Sequence, residues 1–300
     1  MLNTIAIMNT KGGVGKSTLV MALAETLSAF HGKTVLVIDS DAQASVSNML
    51  MSVPTLYDLQ VKGETIVEFL VAAVLHGQPL DWTKFVVEKV SDVDDARSLY
   101  LIPSDMQLTL FEREVSKGNH HARLRSTIAQ LLQNVSKIFD IVLIDCPPGL
   151  SVLTECWLRE AHFHVSPTKA DYVSVCGLEV FRRFKALNPE MGFAENLGVL
   201  VNLKEMGSES DAGYHAWLME NAENRCFKQS IPRIDLGAVA TGFDGVIETL
   251  RAIGLRKIGA GKNELIHPRH AGAHIVARQP ERQRLAILVR DVRNAEMALL

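Results

Sequence analysis

Cysteine is scarce in this 300-residue chain and poorly spaced for cross-linking. The four present, Cys146, Cys156, Cys176 and Cys226, form no C-x-x-C pair, which excludes a disulfide framework and the usual zinc or iron–sulfur ligand spacing. They read as reduced thiols of a cytoplasmic protein. Long apolar runs are missing too, the longest candidate being Phe69 to Leu75, far short of the roughly twenty residues that span a bilayer. No basic stretch precedes an apolar one near Met1, so no secretory leader is expected. Excess charge of one sign is also absent: a net charge of −3 argues against a uniformly basic nucleic-acid binder while leaving room for a local basic patch.

What is present is the composition of a folded protein. Hydrophobic residues make up 47% and charged residues 22%, which excludes a chain disordered throughout. Ile5-Ala6-Ile7-Met8 is a short apolar run of the kind that forms a buried parallel strand. A glycine cluster follows, and then a helical pattern from Ser17 to Phe30, carried by Leu19, Val20, Leu23, Leu27 and Phe30. The next strand is Thr34 to Ile38. Strand, loop, helix and strand in so few residues make a βαβ unit. Further strands are expected at 100–103, 141–144, 162–165 and 198–201, with helices over 124–139 and 173–187. The expected fold is therefore α/β, a mostly parallel twisted sheet flanked by helices on both faces. Residues 51–98 read as an insertion of one or two helices, including 66–75, followed by a surface segment with Asp92, Asp94 and Asp95.

The loop between the first strand and helix carries the chemistry. Lys11, Gly12, Gly13, Val14, Gly15, Lys16, Ser17 and Thr18 follow one another there. In the G-x-x-x-x-G-K-[ST] pattern the first glycine would stand at Thr10, while the second glycine, lysine and hydroxyl fall on Gly15, Lys16 and Ser17. Glycines let several backbone N–H groups converge on phosphate oxygens, and the helix N-terminus adds its dipole there. Lys16 would neutralise phosphate charge, and Ser17 would offer a hydroxyl to Mg²⁺. Such a site also needs carboxylates at the ends of neighbouring strands. Asp39 and Asp41 close the second strand and Asp145 closes Ile141 to Ile144; any one of them alone would read as a turn former or helix cap.

These segments resemble the ParA/MinD superfamily of ATPases. Residues 11–18 look like its deviant Walker A motif, residues 37–45 like its D-x-D-P-Q-x-N stretch and residues 144–148 like its Walker B segment. Residues 100–104, 165–168, 198–202 and 231–232 extend the similarity over roughly residues 1–250. The sequence departs from the pattern at Ala42, where proline is usual, at Ser45, where asparagine is usual, and at Cys146, where threonine is common. The resemblance implies a P-loop NTPase that binds ATP and Mg²⁺ and forms a homodimer on ATP binding, with Lys11 crossing to the partner's phosphates. It further implies that Lys11, Lys16 and Asp41 are catalytic, Asp41 orienting the attacking water. Ser17, Asp39 and Asp145 would serve the metal, and Asn202 with the backbone near Pro232 would contact adenine.

By the same resemblance the expected role is plasmid or chromosome partition. The dimer would bind DNA without sequence preference, act with a centromere-binding ParB-like adaptor and be associated with the nucleoid in the cytoplasm. The domain expected to do this is 1–254, followed by a basic extension at 255–300 with nine Lys/Arg against four Asp/Glu. Leu285, Leu288, Val289, Val292, Ala295 and Leu299 give that extension an amphipathic helical pattern. The alternative is a MinD-like regulator on the membrane surface, against which stand the acidic residues Glu281, Asp291 and Glu296 in the terminal helix.

Overall fold

The computed structural model describes residues 2–78, 81–205 and 207–233. Seven strands, β1 (Thr4–Ile7), β2 (Val35–Asp39), β3 (Val87–Glu88), β4 (Leu99–Ile102), β5 (Ile141–Asp145), β6 (Phe163–Thr168) and β7 (Glu195–Val201), form one sheet. Their order is β3-β4-β2-β5-β1-β6-β7. All neighbours are parallel except β3, which pairs antiparallel with β4.

The strands read as unbroken apolar runs because both faces are covered. Ile5, Ile7, Val35, Val37, Ile141 and Leu143 point into one core with helices α1 (Lys16–Ala29) and α2 (Ser45–Leu50) and Leu56 of α3 (Val53–Lys62). Ala6, Met8, Leu36, Ile38, Val142 and Ile144, one residue out of step, point into the opposite core. That side is covered by α4 (Ile66–Leu70), α5 (Leu108–Lys117), α6 (His121–Val135) and α7 (Val152–Glu160). The alternation follows from the two-residue strand period, so one run feeds two cores. Two further helices, α8 (Tyr172–Leu187) and α9 (Glu209–Glu220), pack at the β7 edge, with Val175, Leu178, Val199, Val201 and Leu218 in a smaller cluster.

Residues 51–98 are more deeply built in than a surface insertion. Ile66, Val67, Phe69, Leu70, Val74 and Phe85 belong to the second core, and a π-helical turn at Val71–Leu75 continues α4. The expected surface segment is tied to α1: Ser91 donates its hydroxyl to Glu25 at 2.7 Å, and Ser28 accepts from the backbone N–H of Ser98 at 3.2 Å. Val90 and Ala96 are buried beneath it. Its polar composition hides this role because its links to α1 are hydrogen bonds. Residues 234–300, with the end of the expected ATPase domain, the basic extension and its amphipathic helix, lie outside the described residues.

Candidate functional site

The sheet register sets two carboxylates side by side. β2 and β5 pair with Asp39 opposite Asp145, and β1 pairs with β5 through Ile7 opposite Asp145. The loop leaving β1 therefore starts beside Asp145, at the carboxyl end of the sheet, where open α/β folds bind ligands.

Gly13 and Gly15 adopt left-handed backbone conformations, φ 70° and 85°, which only glycine takes without strain. At Gly15, the residue preceding α1, a Cβ would also collide with the side-chain amide of Asn202. Asn202 Nδ2 donates to the carbonyl of Val14 at 2.9 Å, and its Oδ1 accepts from the backbone N–H of Leu203 at 2.9 Å. Gly12 and Thr18 are exposed, Val14 is buried, and Lys16 is buried with Nζ 3.5 Å from the carbonyl of Lys11. Burial pulls the Lys16 ammonium down, while Asp145 and then Asp41 oppose that shift. Pro232 reaches the same end of the sheet: it bridges to Lys204, two residues beyond Asn202, and Lys204 donates its N–H to the carbonyl of Ile231 at 3.0 Å.

The three aspartates differ in what satisfies them. Asp39 accepts three hydrogen bonds, its Oδ2 from the Ser47 hydroxyl at 2.6 Å and the Ser47 N–H at 3.0 Å, and its Oδ1 from the Asp41 N–H at 3.1 Å. Burial nevertheless pushes its carboxyl up to about 6. Asp41 is half-buried and accepts from the Gln43 N–H at 3.0 Å. Asp145 is fully buried, and among the described residues neither of its carboxylate oxygens meets hydrogen-bond geometry with any partner. Its carboxyl is pushed well up by burial and by Asp39, with the Ser17 hydroxyl and then Lys16 partly offsetting this.

A buried carboxylate eased only by the Ser17 hydroxyl and the Lys16 charge still bears a burial cost, which a cation facing it would offset. The donor set fits a magnesium ion held by Ser17 and by phosphate oxygens with Asp145 behind its waters, the way this hard cation is usually bound. Among the described residues no group of three or more His, Cys, Asp or Glu side chains is gathered to cage a metal directly. Asp39, held by Ser47 and the Asp41 N–H, keeps acceptor capacity on Oδ1.

Several contributors carry no motif signal. Asn9 is buried, donates to the Pro167 carbonyl at 2.7 Å and accepts the Lys11 N–H at 2.9 Å. Ser47 joins β2 to β4, since its hydroxyl also accepts the Ser104 N–H at 3.1 Å. Glu112 of α5 accepts from the Ser151 hydroxyl at 2.5 Å, tying the second-core helices to the cap of α7 just beyond Asp145. Each is a link between segments distant in sequence, which spacing does not reveal.

The chain is similar to known proteins. An AAA domain family model matches residues 2–191. A ParA family protein of Chlamydia pneumoniae is 30% identical over 236 residues, covering 77% of this chain and 78% of that protein. The chromosome partitioning protein ParA of Caulobacter vibrioides is 31% identical over 213 residues, 67% of this chain and 70% of that protein. Among solved structures, cobyrinic acid a,c-diamide synthase from Mycobacterium smegmatis with bound ADP and magnesium superposes with a TM-score of 0.68 at 24% identity. That match covers 86% of this chain and 98% of the other and shows a shared fold.

Proposed function

The chain belongs to the ParA/MinD superfamily of P-loop ATPases, and from that premise we propose that it is an ATP-driven dimer switch acting in DNA partition. The observation that carries the reading is the meeting of Lys16, Ser17 and fully buried Asp145 under a loop that also bears a second lysine, Lys11. The loop backbone and Lys16 hold the triphosphate, and Asn202 with the Pro232 segment borders the adenine. Magnesium bound at Ser17 would draw charge from the phosphate oxygens; the Mycobacterium smegmatis neighbour that shares this fold holds ADP and magnesium.

Asp41, the half-buried carboxylate, orients the attacking water, while Asp39 and Asp145 would serve the cation through its water shell. Lys11 acts in trans, its charge stabilising phosphate oxygens of the partner subunit's nucleotide as an arginine finger does. With no strong base beyond Asp41 among the described residues of the site, hydrolysis is slow until a ParB-like centromere-binding adaptor engages. The ATP-bound homodimer holds nucleoid DNA through Lys and Arg contacts to phosphates, without reading base sequence. The names of the Chlamydia and Caulobacter relatives support the partition role. Among the described residues no helix is long and apolar enough to cross a membrane.

The test is binding of the full chain to non-specific duplex DNA and to anionic liposomes with ATP, ADP or no nucleotide. ATP-dependent, salt-sensitive DNA binding lost in Lys16→Ala and Lys11→Ala is expected. Liposome binding without DNA binding would transfer the protein to the membrane-surface class, and indifference to nucleotide in both assays would remove the switch.

A further inference from the structure

One helix of the second core reaches the turn that carries Asp41. Trp157 of α7 is fully buried, and its indole Nε1 donates to the Ser40 hydroxyl at 2.5 Å. Ser40, between Asp39 and Asp41, is buried too, and its backbone N–H donates to the Asp145 carbonyl at 3.0 Å. An indole N–H only donates and needs a partner when buried, so the sense of the bond is fixed. Residue 40 is therefore held twice where the chain leaves the sheet, by its N–H to β5 and by its hydroxyl to α7. The bonds of Asp41 itself stay within its own turn: its carboxylate accepts the Gln43 N–H at 3.0 Å, its carbonyl accepts the Ala44 N–H at 2.8 Å, and its N–H goes to Asp39. They shape the turn without tying it to the second core. Trp157 has a firm base. The α7 N-cap, Ser151, donates its hydroxyl to Glu112, and the carbonyl of Leu158 accepts the Ala194 N–H at 2.7 Å.

We propose that Trp157 is a positioning residue for hydrolysis, fixing through Ser40 the backbone from which Asp41 reaches the attacking water. The inference rests on the role of Asp41 proposed above. The triphosphate is gripped by residues 11–18, on the far side of β5, so the Trp157 bond governs the rate of the chemical step and not the affinity for nucleotide. Such a step is sensitive to small displacements, since about 1 Å of misplacement costs about a hundredfold in rate. A turn released by a fraction of that distance loses correspondingly less.

Basal ATP hydrolysis, and affinity for a non-hydrolysable ATP analogue with Mg²⁺, are measured on the full chain for wild type, Trp157→Phe, Ser40→Ala, the Ser40→Ala/Trp157→Phe double variant and Asp41→Asn. Trp157→Phe keeps a buried ring and removes the donor, while Ser40→Ala removes only the acceptor. Each is expected to lower kcat by about five- to 30-fold, with KM and analogue affinity within about twofold of wild type. The double variant should be no slower than the slower single one, because both substitutions remove the same bond. Should Trp157→Phe fail to fold, Ser40→Ala, which leaves the packed indole in place, decides through its rate and affinity alone. A kcat within about twofold of wild type in Ser40→Ala, losses that multiply in the double variant, or an affinity that falls as far as the rate overturns the positioning role. In those cases a slow Asp41→Asn leaves the role of Asp41 standing. If Asp41→Asn hydrolyses ATP like wild type, the reading of Asp41 fails and the positioning role falls with it.

Discussion

Asn202, one residue past β7, donates its side-chain N–H to the carbonyl of Val14 in the glycine loop, 2.9 Å away and 188 positions earlier in the chain. The bond pins the loop from the side opposite Asp145, and Gly15 is the residue that lets the amide come so close. Asn202→Ala leaves the Val14 carbonyl buried without that donor, a loss of about 1–3 kcal/mol. Affinity for ATP is expected to fall about tenfold. Affinity for inorganic tripolyphosphate should fall alongside it, because the loop itself loosens. Isothermal titration with both ligands checks this; loss confined to ATP would assign Asn202 to adenine alone.

Asp145 is a buried carboxyl raised by its burial and by the neighbouring Asp39, and the folded state bears that cost whenever it is ionised. A carboxyl raised on folding takes up protons that the unfolded chain has already released, so stability falls as pH rises from about 4. Asp39, at about 6, follows the same sign, its contribution being lost between about pH 4 and 6. Asp145→Asn is expected to raise the stability of the nucleotide-free protein at pH 7 by about 1–3 kcal/mol and to flatten its decline with pH. The stabilisation given by Mg²⁺ and ATP together should disappear. Thermal melts with and without Mg²⁺-ATP decide it, and a lower melting temperature for the nucleotide-free variant would contradict a net cost of burying Asp145.

How far the molecule could be read beforehand depends on which signal each part carries. The central strands were legible because strands covered on both faces are continuous apolar runs, and Ile5 to Met8 or Ile141 to Ile144 admit little else. Helix α1 was legible through Leu19, Val20, Leu23 and Leu27, although its burial extends nearly around it, with even Glu25 and Ser28 covered by residues 91–98. Helix α9 carries no clear stripe, its buried His215 and Leu218 sharing a short segment with exposed Trp217 and Met219. Strand β3 is two residues long and owes its existence to the β4 edge. In the site, the loop and the aspartates could be read from motif spacing. Ser47 on Asp39 and Trp157 on Ser40 could not, since each depends on how the fold brings remote positions together.

Ser47 is the best test of that remote support. Its hydroxyl donates to Asp39 and accepts from the Ser104 N–H, so one oxygen joins β2, α2 and the segment after β4. Ser47→Ala leaves a buried carboxylate short of one donor and a buried N–H without its acceptor, which should cost about 2–4 kcal/mol. Because the Ser47 hydroxyl pulls the Asp39 carboxyl down, its removal should also raise that carboxyl further. Urea denaturation at pH 7 is the measurement, and a loss under about 0.5 kcal/mol would mean that the three segments hold their positions without it.

Acid sensitivity should come from a different place, the His164 ring in β6. It is fully buried, with Nδ1 3.0 Å from the carbonyl of Ala194 and the ring edge-on to Phe181 at 5.4 Å. Burial lowers its pKa from 6.5 to about 3, the Lys185 ammonium acts in the same direction, and the Ala194 carbonyl opposes both. A histidine lowered on folding stays neutral while the unfolded chain takes up a proton, so its contribution is complete above about 6.5 and is lost as pH falls toward 3. Between pH 7 and 5 this amounts to about 2 kcal/mol. His164→Gln removes the titration while keeping a side-chain donor for Ala194, and its stability should fall less steeply over that interval by about one bound proton. His162, half-buried and also lowered, remains in both proteins and cancels in the comparison. Parallel stability curves for wild type and His164→Gln between pH 7 and 5 would show that the buried ring is charged in the folded protein, with the Ala194 carbonyl as its counterpart.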